Sequence, residues 1–385
     1  MKRLCILLAA IGMMIPMAVC ACTSVIISGS ASPDGRPLMW KHRDTGFLDN
    51  RLEHFKGEKY SFIGLVNSEE GPLGREVWIG TNTAGFSIMN TASYCLKNDD
   101  VPASEMDREG VLMYRALEIC ADLRDFEHFL DTLSRPMGVE ANFGCIDAFG
   151  GAAYYETWND GYVKRDVTGM EDGYCVVTNF SVTGRKEDWK GVERYHTASE
   201  IFASMEKEGS RFRCIGPDII MNSLSRSYKH QGDSLYIPRA ITSASVVIQG
   251  VKPGESPERI VFWTALGYPS SSVMVPVPLS AEDHIPGAMK KSSDSVYSHL
   301  CDLSNSVKYA YIFPEGRKGP MDLEKAEWLS VYFAAVEKGI YEDFSRLYSG
   351  FAGGAFGQEE YLRKYDKAAV KYVRSIEKAV ESLKF

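Results

Sequence analysis

The residue with the most distinctive chemistry is Cys22, because it lies where an N-terminal secretion signal would be cleaved. The chain starts with Lys2 and Arg3, continues with an uncharged apolar stretch over residues 4–19, and reaches a small residue at Ala21. This layout is typical of a signal peptide and is short for a membrane span. Cleavage after Ala21 would leave an α-amine and a thiol on Cys22, which is a nucleophile with a built-in base. The sequence therefore predicts a signal peptide over residues 1–21 and a nucleophilic Cys22.

Two other roles for Cys22 stay open at this point. The run Val19-Cys20-Ala21-Cys22 loosely fits a lipoprotein attachment site, and lipidation of Cys22 would block its amine and exclude the nucleophile. An ordinary structural or disulfide-bonded cysteine is the third possibility. Under the lipoprotein alternative the chain would be a non-catalytic exported binding protein.

Charged residues at the end of the second predicted strand are candidates for partners of Cys22. A turn over residues 32–37 joins residues 23–28 to residues 38–42 as a hairpin, so Trp40-Lys41-His42-Arg43-Asp44 returns near the N-terminus. Asp44 can accept a hydrogen bond from the α-ammonium group, and Lys41 or Arg43 can lie near the sulfur. The alternative is a strand end that is simply solvated.

Composition and charge exclude several classes of partner and cofactor. The formal net charge is −8 and no basic run is present, which argues against nucleic acid. Nine cysteines occur, and removal of Cys5 and Cys20 with the leader leaves seven, an odd number that favours a free thiol. These seven show no zinc spacing, and no phosphate or dinucleotide loop motif occurs, so we expect no metal and no cofactor. No second long apolar segment follows the leader, so we expect no membrane span in the mature chain.

The predicted elements form groups of strands and helices rather than a strict alternation. Strands are predicted over 23–28, 38–42, 60–66, 76–79, 85–90, 142–149, 152–158, 173–179, 243–250, 259–266 and 271–277, and helices over 109–121, 125–134, 190–206, 322–347 and 358–383. This order indicates two sheets between helical layers. The two long C-terminal helices are amphipathic, which predicts either a cap on the core or an oligomer seam. The expected domains are a catalytic domain over 22–320 and a helical extension over 321–385.

The motifs at the start of the chain resemble a known enzyme superfamily. Cys22-Thr23-Ser24, Asp34-Gly35-Arg36-Pro37-Leu38 and Lys41-His42-Arg43-Asp44 are similar to the opening of the linear-amide C–N hydrolases, which include choloylglycine hydrolase, penicillin V acylase and isopenicillin N acyltransferase. Many members carry arginine at the position of Lys41 and asparagine at the position of His42. The resemblance implies an α+β fold, the four-layer αββα sandwich of the N-terminal-nucleophile hydrolases, here with a C-terminal helical extension.

Further segments resemble the same superfamily in the same order, as far as about Val277. They are Asn82-Thr83-Ala84-Gly85-Phe86 with Asn90 after it, Asn142 to Ala148 followed by Glu156, Val176-Val177-Thr178-Asn179, and Val192-Glu193-Arg194-Tyr195. Acyltransferase-like members often have histidine at the position of Phe180. The resemblance implies that Cys22 is the nucleophile, that Asp44 orients its amine, and that Asn179 and Asn90 stabilise the oxyanion. It also implies that Arg194 and Lys41 lie near the thiol.

The activity implied by the resemblance is hydrolysis of a linear amide by an exported enzyme, through a thioester on Cys22. The substrate class would be an N-acyl amino acid, an acyl peptide, a conjugated bile salt or a penicillin-type side chain, and no cofactor is required. An acyltransferase or a dipeptidase of the same superfamily is the alternative within enzymes.

Overall fold

A computed structural model describes residues 21–71, 73–97, 100–229 and 236–383 of the chain. Except for Ala21, the predicted signal peptide lies outside the described residues. Within the described part, no helix is both long enough and apolar enough to cross a membrane.

Fifteen strands in the described residues form two large antiparallel sheets and one small hairpin. The strands in chain order are β1 (Thr23–Ile27), β2 (Leu38–Asp44), β3 (Asn50–Lys56), β4 (Ser61–Asn67), β5 (Ile79–Asn82), β6 (Ser87–Ala92), β7 (Ala141–Ile146), β8 (Ala152–Trp158), β9 (Gly161–Asp166), β10 (Tyr174–Val177), β11 (Lys207–Glu208), β12 (Arg211–Phe212), β13 (Thr242–Gln249), β14 (Val261–Leu266) and β15 (Val275–Pro278). The first sheet has the order β10-β1-β2-β13-β14-β15, and the second has the order β3-β4-β5-β6-β7-β8-β9. The hairpin β11-β12 stands apart from both sheets.

The α-helices cover the outer faces of the two sheets. They are α1 (Glu109–Ile119), α2 (Leu123–Thr132), α3 (Val192–Ser204), α4 (Pro217–Ile220), α5 (His299–Val307), α6 (Leu323–Ala352) and α7 (Gln358–Ser382). Leu117 of α1 and Phe126 of α2 share one apolar cluster with the outer face of the second sheet. The other helices contribute to a larger cluster that fills the space between the sheets and covers the first sheet.

The layers are therefore helix, sheet, sheet, helix, and the predicted α+β four-layer αββα sandwich is confirmed. Alternate residues of one strand point to different layers, as Ile88 and Met89 of β6 do when they enter the two separate clusters. Between the sheets, the Ser24 hydroxyl on β1 hydrogen bonds with the Tyr154 hydroxyl on β8 at 2.9 Å. The sheets thus form one packed unit with the start of β1 at an end of the sandwich.

The C-terminal helices pack on the first sheet. Tyr361, Tyr365 and Tyr372 of α7 are buried in the larger cluster, and Tyr365 donates to the carbonyl of Pro276 in β15 at 2.7 Å. A buried ion pair joins Glu337 of α6 to Arg226 at 2.9 Å. The amphipathic stripe of α7 therefore faces the core.

Six strands and α-helices of the described part of the chain lie outside the predicted elements: the short β11, β12 and α4, and the more polar β3, β9 and α5. Strands β3 and β9 were not predicted, and both are edge strands whose charged residues hide the apolar alternation. Helix α5 was also missed because it contains only a short apolar stripe. Some predicted strands begin too early, such as 271–277, where the structure has a tight 3₁₀ turn before β15.

All seven cysteines from Cys22 onward are free thiols. Cys145 and Cys175 are buried in strands β7 and β10. Cys214 is the exposed one. The possibility of disulfides among these residues is therefore not realised in this structure.

Candidate active site

Cys22 directly precedes β1 and is fully buried at the end of the sandwich. Strand β1 pairs with β2 so that Thr23 faces His42 and Ser24 faces Lys41. Because side chains alternate along a strand, Cys22, Ser24 and Lys41 project to the same face, toward the second sheet. The Cys22 Sγ atom lies 4.0 Å from the backbone oxygen of Asp44. The hairpin thus brings Asp44 back to Cys22, as the turn between the strands predicts.

The Asp44 carboxylate is buried and held by two side chains from the segment before and at the start of β13. Thr242 Oγ1 donates to Asp44 Oδ1 at 2.6 Å, and Arg239 donates to Asp44 Oδ2 from Nε at 3.0 Å and from Nη2 at 2.7 Å. An arginine fork on one carboxylate oxygen fixes the position of that carboxylate. Asp44 is therefore a rigid anion beside Cys22.

Arg239 also contacts the residue that precedes Cys22. In the full-length chain Arg239 Nη2 donates to the Ala21 carbonyl oxygen at 3.1 Å, and the Ala21 amide donates to the Asp44 carbonyl oxygen at 3.1 Å. The Ala21–Cys22 peptide bond is thus held between Arg239 and the end of β2. Arg239 and Thr242 were not among the residues chosen from the sequence.

Arg194 and Asn179 meet next to Cys22. Arg194 Nη1 donates to the Cys22 carbonyl oxygen at 2.6 Å and to Thr23 Oγ1 at 2.7 Å, and its Nη2 donates to Asn179 Oδ1 at 2.7 Å. Asn179 lies just after β10, the partner of β1, and its Nδ2 donates to the Ala92 carbonyl oxygen at 2.9 Å. Burial lowers the pKa of Arg194 to about 10, so the guanidinium stays charged at neutral pH. Asn179 and Arg194, which lie 15 residues apart in the chain, are therefore joined by a direct hydrogen bond.

The backbone conformation of Gly191 leaves room for the Arg194 guanidinium beside Cys22. It caps α3 in the left-handed conformation with φ of 73°, and a Cβ atom on it would collide with the Arg194 guanidinium. Glycine is the residue that adopts this conformation without strain. Arg194 is in the first turn of α3, so the cap sets the direction in which the side chain leaves the helix.

Lys41 and Asn90 contact each other. Lys41 Nζ donates to Asn90 Oδ1 at 2.6 Å and to the Trp78 carbonyl oxygen at 2.7 Å. Lys41 belongs to the first sheet, Asn90 lies on the central strand β6 of the second sheet and Trp78 directly precedes β5, so this ammonium group joins the two sheets. Asn90 lies two residues before Ala92, whose carbonyl accepts from Asn179. The sequence interpretation gave Lys41 and Asn90 separate roles and did not foresee this pair.

His42 is a buried, neutral part of the site. Burial lowers its pKa to about 4, with Asp44 opposing the shift and Arg194 and Arg239 adding to it. His42 Nε2 lies 3.2 Å from Thr242 Oγ1, the hydroxyl that donates to Asp44. His42 therefore packs behind the Asp44 carboxylate as an uncharged ring.

Other motif residues have structural roles. Asn82 Oδ1 accepts from the amides of Ala84 and Phe86 in a turn that contains Gly85 at φ of 92°. Glu156 accepts from the amides of Val182 and Thr183 and so fixes the chain after Asn179. Both residues stabilise turns near the site rather than facing Cys22.

The polar groups around Cys22 are the guanidinium groups of Arg194 and Arg239, the amide of Asn179 and the carboxylate of Asp44. Among the described residues, no three His, Cys, Asp or Glu side chains are grouped in a way that could hold a metal ion. The local chemistry is that of a thiol whose own backbone carbonyl accepts from Arg194 and whose Sγ atom lies near the backbone oxygen of Asp44.

Comparisons with known proteins return matches by structure. No protein-family model and no curated protein matches the chain. A variant of conjugated bile acid hydrolase from Clostridium perfringens has a TM-score of 0.44 at 10% identity, and the match covers 68% of this chain and 93% of that one. The Caenorhabditis elegans ortholog of N-acylethanolamine-hydrolyzing acid amidase has a TM-score of 0.42 at 16% identity, covering 59% and 92%. Penicillin V acylase from Agrobacterium tumefaciens has a TM-score of 0.41 at 12% identity, covering 67% and 86%. The likeness concerns the fold alone.

Proposed function

We propose that the mature protein is an exported hydrolase of linear amide C–N bonds that uses Cys22 as an N-terminal nucleophile. The observation that carries the proposal is the convergence of Asp44, Asn179, Arg194 and Arg239 on Cys22 and the peptide bond before it. A thiol at a chain terminus with a fixed anion and fixed amide donors around it is suited to acyl transfer.

The first step forms the nucleophile. Removal of residues 1–21 leaves the Cys22 α-amine next to the position that Ala21 occupies, within the reach of the Asp44 backbone oxygen and of Arg239. The amine takes the proton of the Cys22 thiol, and the Asp44 anion stabilises the resulting ammonium group. The thiolate then attacks the carbonyl carbon of the substrate amide.

The second step stabilises the tetrahedral intermediate. Arg194 holds Asn179 Oδ1, so Nδ2 faces away from Arg194; Nδ2 donates one hydrogen to the Ala92 carbonyl, and its second hydrogen is the proposed donor to the oxyanion. Hydrogen-bond donors that are fixed before the reaction stabilise charge that develops in the transition state. We also place Asn90 and Lys41 at the Asn179 end of the site. Their hydrogen bond stabilises strand β6, which carries the Ala92 carbonyl that accepts from Asn179.

The last steps release the two products. The ammonium group of Cys22 gives its proton to the leaving nitrogen as the C–N bond breaks, which leaves a thioester on Sγ. A water molecule attacks the thioester, its proton passes to the α-amine, and the carboxylic acid leaves as the thiol forms again. This sequence consumes one amide and one water and requires no cofactor.

The substrate class that we propose is a small linear amide such as an N-acyl amino acid, an acyl peptide, a conjugated bile salt or a penicillin side chain. A panel of such amides tests this directly by release of the primary amine. Wild-type protein should release amine from at least one class, whereas Cys22→Ser should release almost none because a hydroxyl is much less ionised than a thiol at neutral pH. Equal release by the serine variant would assign the reaction to another residue.

A further inference from the structure

A buried lysine lies behind the segment that holds Asp44. Lys308 begins a π-helical turn, Lys308–Ile312, which continues directly from α5. Its Nζ donates to the Ala240 carbonyl oxygen at 2.7 Å and to the Thr242 carbonyl oxygen at 3.4 Å. The residue is fully buried. A π-turn often occurs at a functional position in a helix, so this lysine has an unusual backbone as well as an unusual environment.

Aromatic rings enclose the Lys308 ammonium group. The Nζ atom lies 5.1 Å from the ring centre of Tyr268, 5.4 Å from that of Tyr309 and 5.7 Å from that of Phe313. Rings at this distance stabilise a cation through their negative faces. The enclosure therefore favours a charged amine in a place where burial alone disfavours it.

The carbonyl groups that Lys308 binds belong to the segment Arg239–Thr242. Two other backbone bonds fix the same segment, because the Thr242 amide donates to the Arg239 carbonyl at 2.8 Å and the Thr45 amide donates to the Ile241 carbonyl at 2.9 Å. Lys308 donates to the Ala240 carbonyl, which lies between the Arg239 and Ile241 carbonyls in the chain. The two side chains that hold the Asp44 carboxylate, Arg239 and Thr242, stand at the two ends of this segment.

We propose that Lys308 is a positioning residue for the reaction at Cys22, acting through the segment that carries Arg239 and Thr242 and therefore through Asp44. This inference rests on the proposed function. Protonated Lys308 holds the segment in register and keeps the Asp44 carboxylate beside the Cys22 amine. Loss of the ammonium charge weakens both hydrogen bonds to the segment, because they are no longer charge-assisted, and removes a positive charge from the region of Asp44.

The charges around Lys308 agree with such a role. Burial lowers the pKa of Lys308 to about 7, and the nearby Cys301, Asp44 and Asp49 oppose the shift while Arg317 adds to it. Burial also raises the pKa of the neighbouring Tyr309, which stays neutral in this range. The lysine charge therefore changes near neutral pH, and the positioning that it provides should weaken as pH rises through about 7.

The test compares Lys308→Met and Lys308→Arg with the wild type and with Lys338→Met, a matched change at an exposed lysine on α6. Amide hydrolysis is measured from pH 6 to 9, and the alkylation rate of Cys22 by iodoacetamide is measured over the same range. Lys308→Met should lower kcat at pH 6 by about tenfold while KM changes less than twofold, because a misplaced group costs rate rather than affinity. The arginine variant should recover part of this loss and should keep its activity above pH 7.

The alkylation rate separates this inference from the proposed function. In Lys308→Met the pH midpoint of Cys22 alkylation should move, because the Asp44 carboxylate is no longer held beside the Cys22 amine that exchanges a proton with the thiol, and this holds whether or not a substrate has been found. An unchanged midpoint and an unchanged kcat in a folded Lys308→Met variant would overturn the inference. If that variant does not fold, Tyr309→Leu replaces it in the test, because this change removes one ring from the enclosure. The kcat of Tyr309→Leu should begin to decline at a lower pH than the kcat of the wild type. No movement there would also overturn the inference.

Discussion

Arg194 donates from Nη2 to the Asn179 side-chain oxygen at 2.7 Å, and both side chains are buried next to Cys22. A guanidinium group can only donate hydrogen bonds, so its partner must be the amide oxygen and the Asn179 nitrogen must point elsewhere. The pair therefore fixes which side of the amide can serve as a donor. This orientation is what an oxyanion-stabilising asparagine requires.

Replacement of Asn179 by alanine should lower turnover strongly with little change in substrate binding. The proposed hydrogen bond forms to a charge that exists only in the transition state, and loss of one such donor typically costs about 10²–10³ in kcat. Steady-state kinetics on the best substrate of the panel measure this. A raised KM with unchanged kcat would instead make Asn179 a ground-state contact.

Arg194→Lys should keep the charge but lose the fork that binds Cys22, Thr23 and Asn179 together. We expect kcat to fall by about tenfold or more, since the orientation of Asn179 is no longer fixed. Glutamine at position 194 is a useful comparison because it removes the charge as well. Wild-type kinetics in the lysine variant would show that the charge alone is sufficient.

Asp44→Asn should lower the maximum rate and also move the pH profile. A neutral amide no longer stabilises the protonated α-amine of Cys22, so the amine becomes neutral at lower pH and the acid limb of kcat should move to lower pH. Kinetics between pH 4 and 9 give both quantities. The account of Asp44 would be wrong if the rate fell with no displacement of the acid limb.

His42 should make the fold sensitive to acid. Burial lowers its pKa to about 4 from 6.5, so the unfolded chain binds more protons than the folded chain between these values, and stability falls as pH falls through this range. The interval corresponds to about 3 kcal/mol of unfolding free energy at most. When denaturant unfolding is measured at pH 6.5 and pH 4, the free energy of unfolding of His42→Asn should fall less between the two pH values than that of the wild type. His128→Asn, a change at an exposed histidine on α2, is the control and should behave as the wild type does.

Much of the site can be predicted from local sequence because one turn creates it. The hairpin of β1 and β2 places Asp44 beside Cys22 through a register that the turn over residues 32–37 determines. Glycine at the cap of α3 likewise sets the direction of Arg194. Such features depend on neighbours in the chain, and a motif can indicate them.

Other parts depend on contacts between distant segments. Arg239 meets Asp44 across 195 residues, and its surroundings in the chain, Ile237-Pro238-Arg239-Ala240, carry no motif. The Lys41–Asn90 pair joins two sheets whose packing the strand pattern does not specify. The only local signal for Arg239 is its position just before β13, a long buried strand. Strands β3 and β9 were missed for a different reason: each pairs with its neighbour in the chain, but its charged residues interrupt the apolar alternation that predicts a strand.

The measurement that tests the central claim most directly is mass analysis of the N-terminal peptide of the protein purified from expressing cells, after brief treatment with limiting iodoacetamide. The account predicts a peptide that begins at Cys22 with an unmodified α-amine, carrying the label on Sγ before any label is found on Cys214, the exposed thiol. A peptide that begins elsewhere, a lipid or acyl group on the Cys22 amine, or faster labelling of Cys214 would contradict an N-terminal cysteine nucleophile.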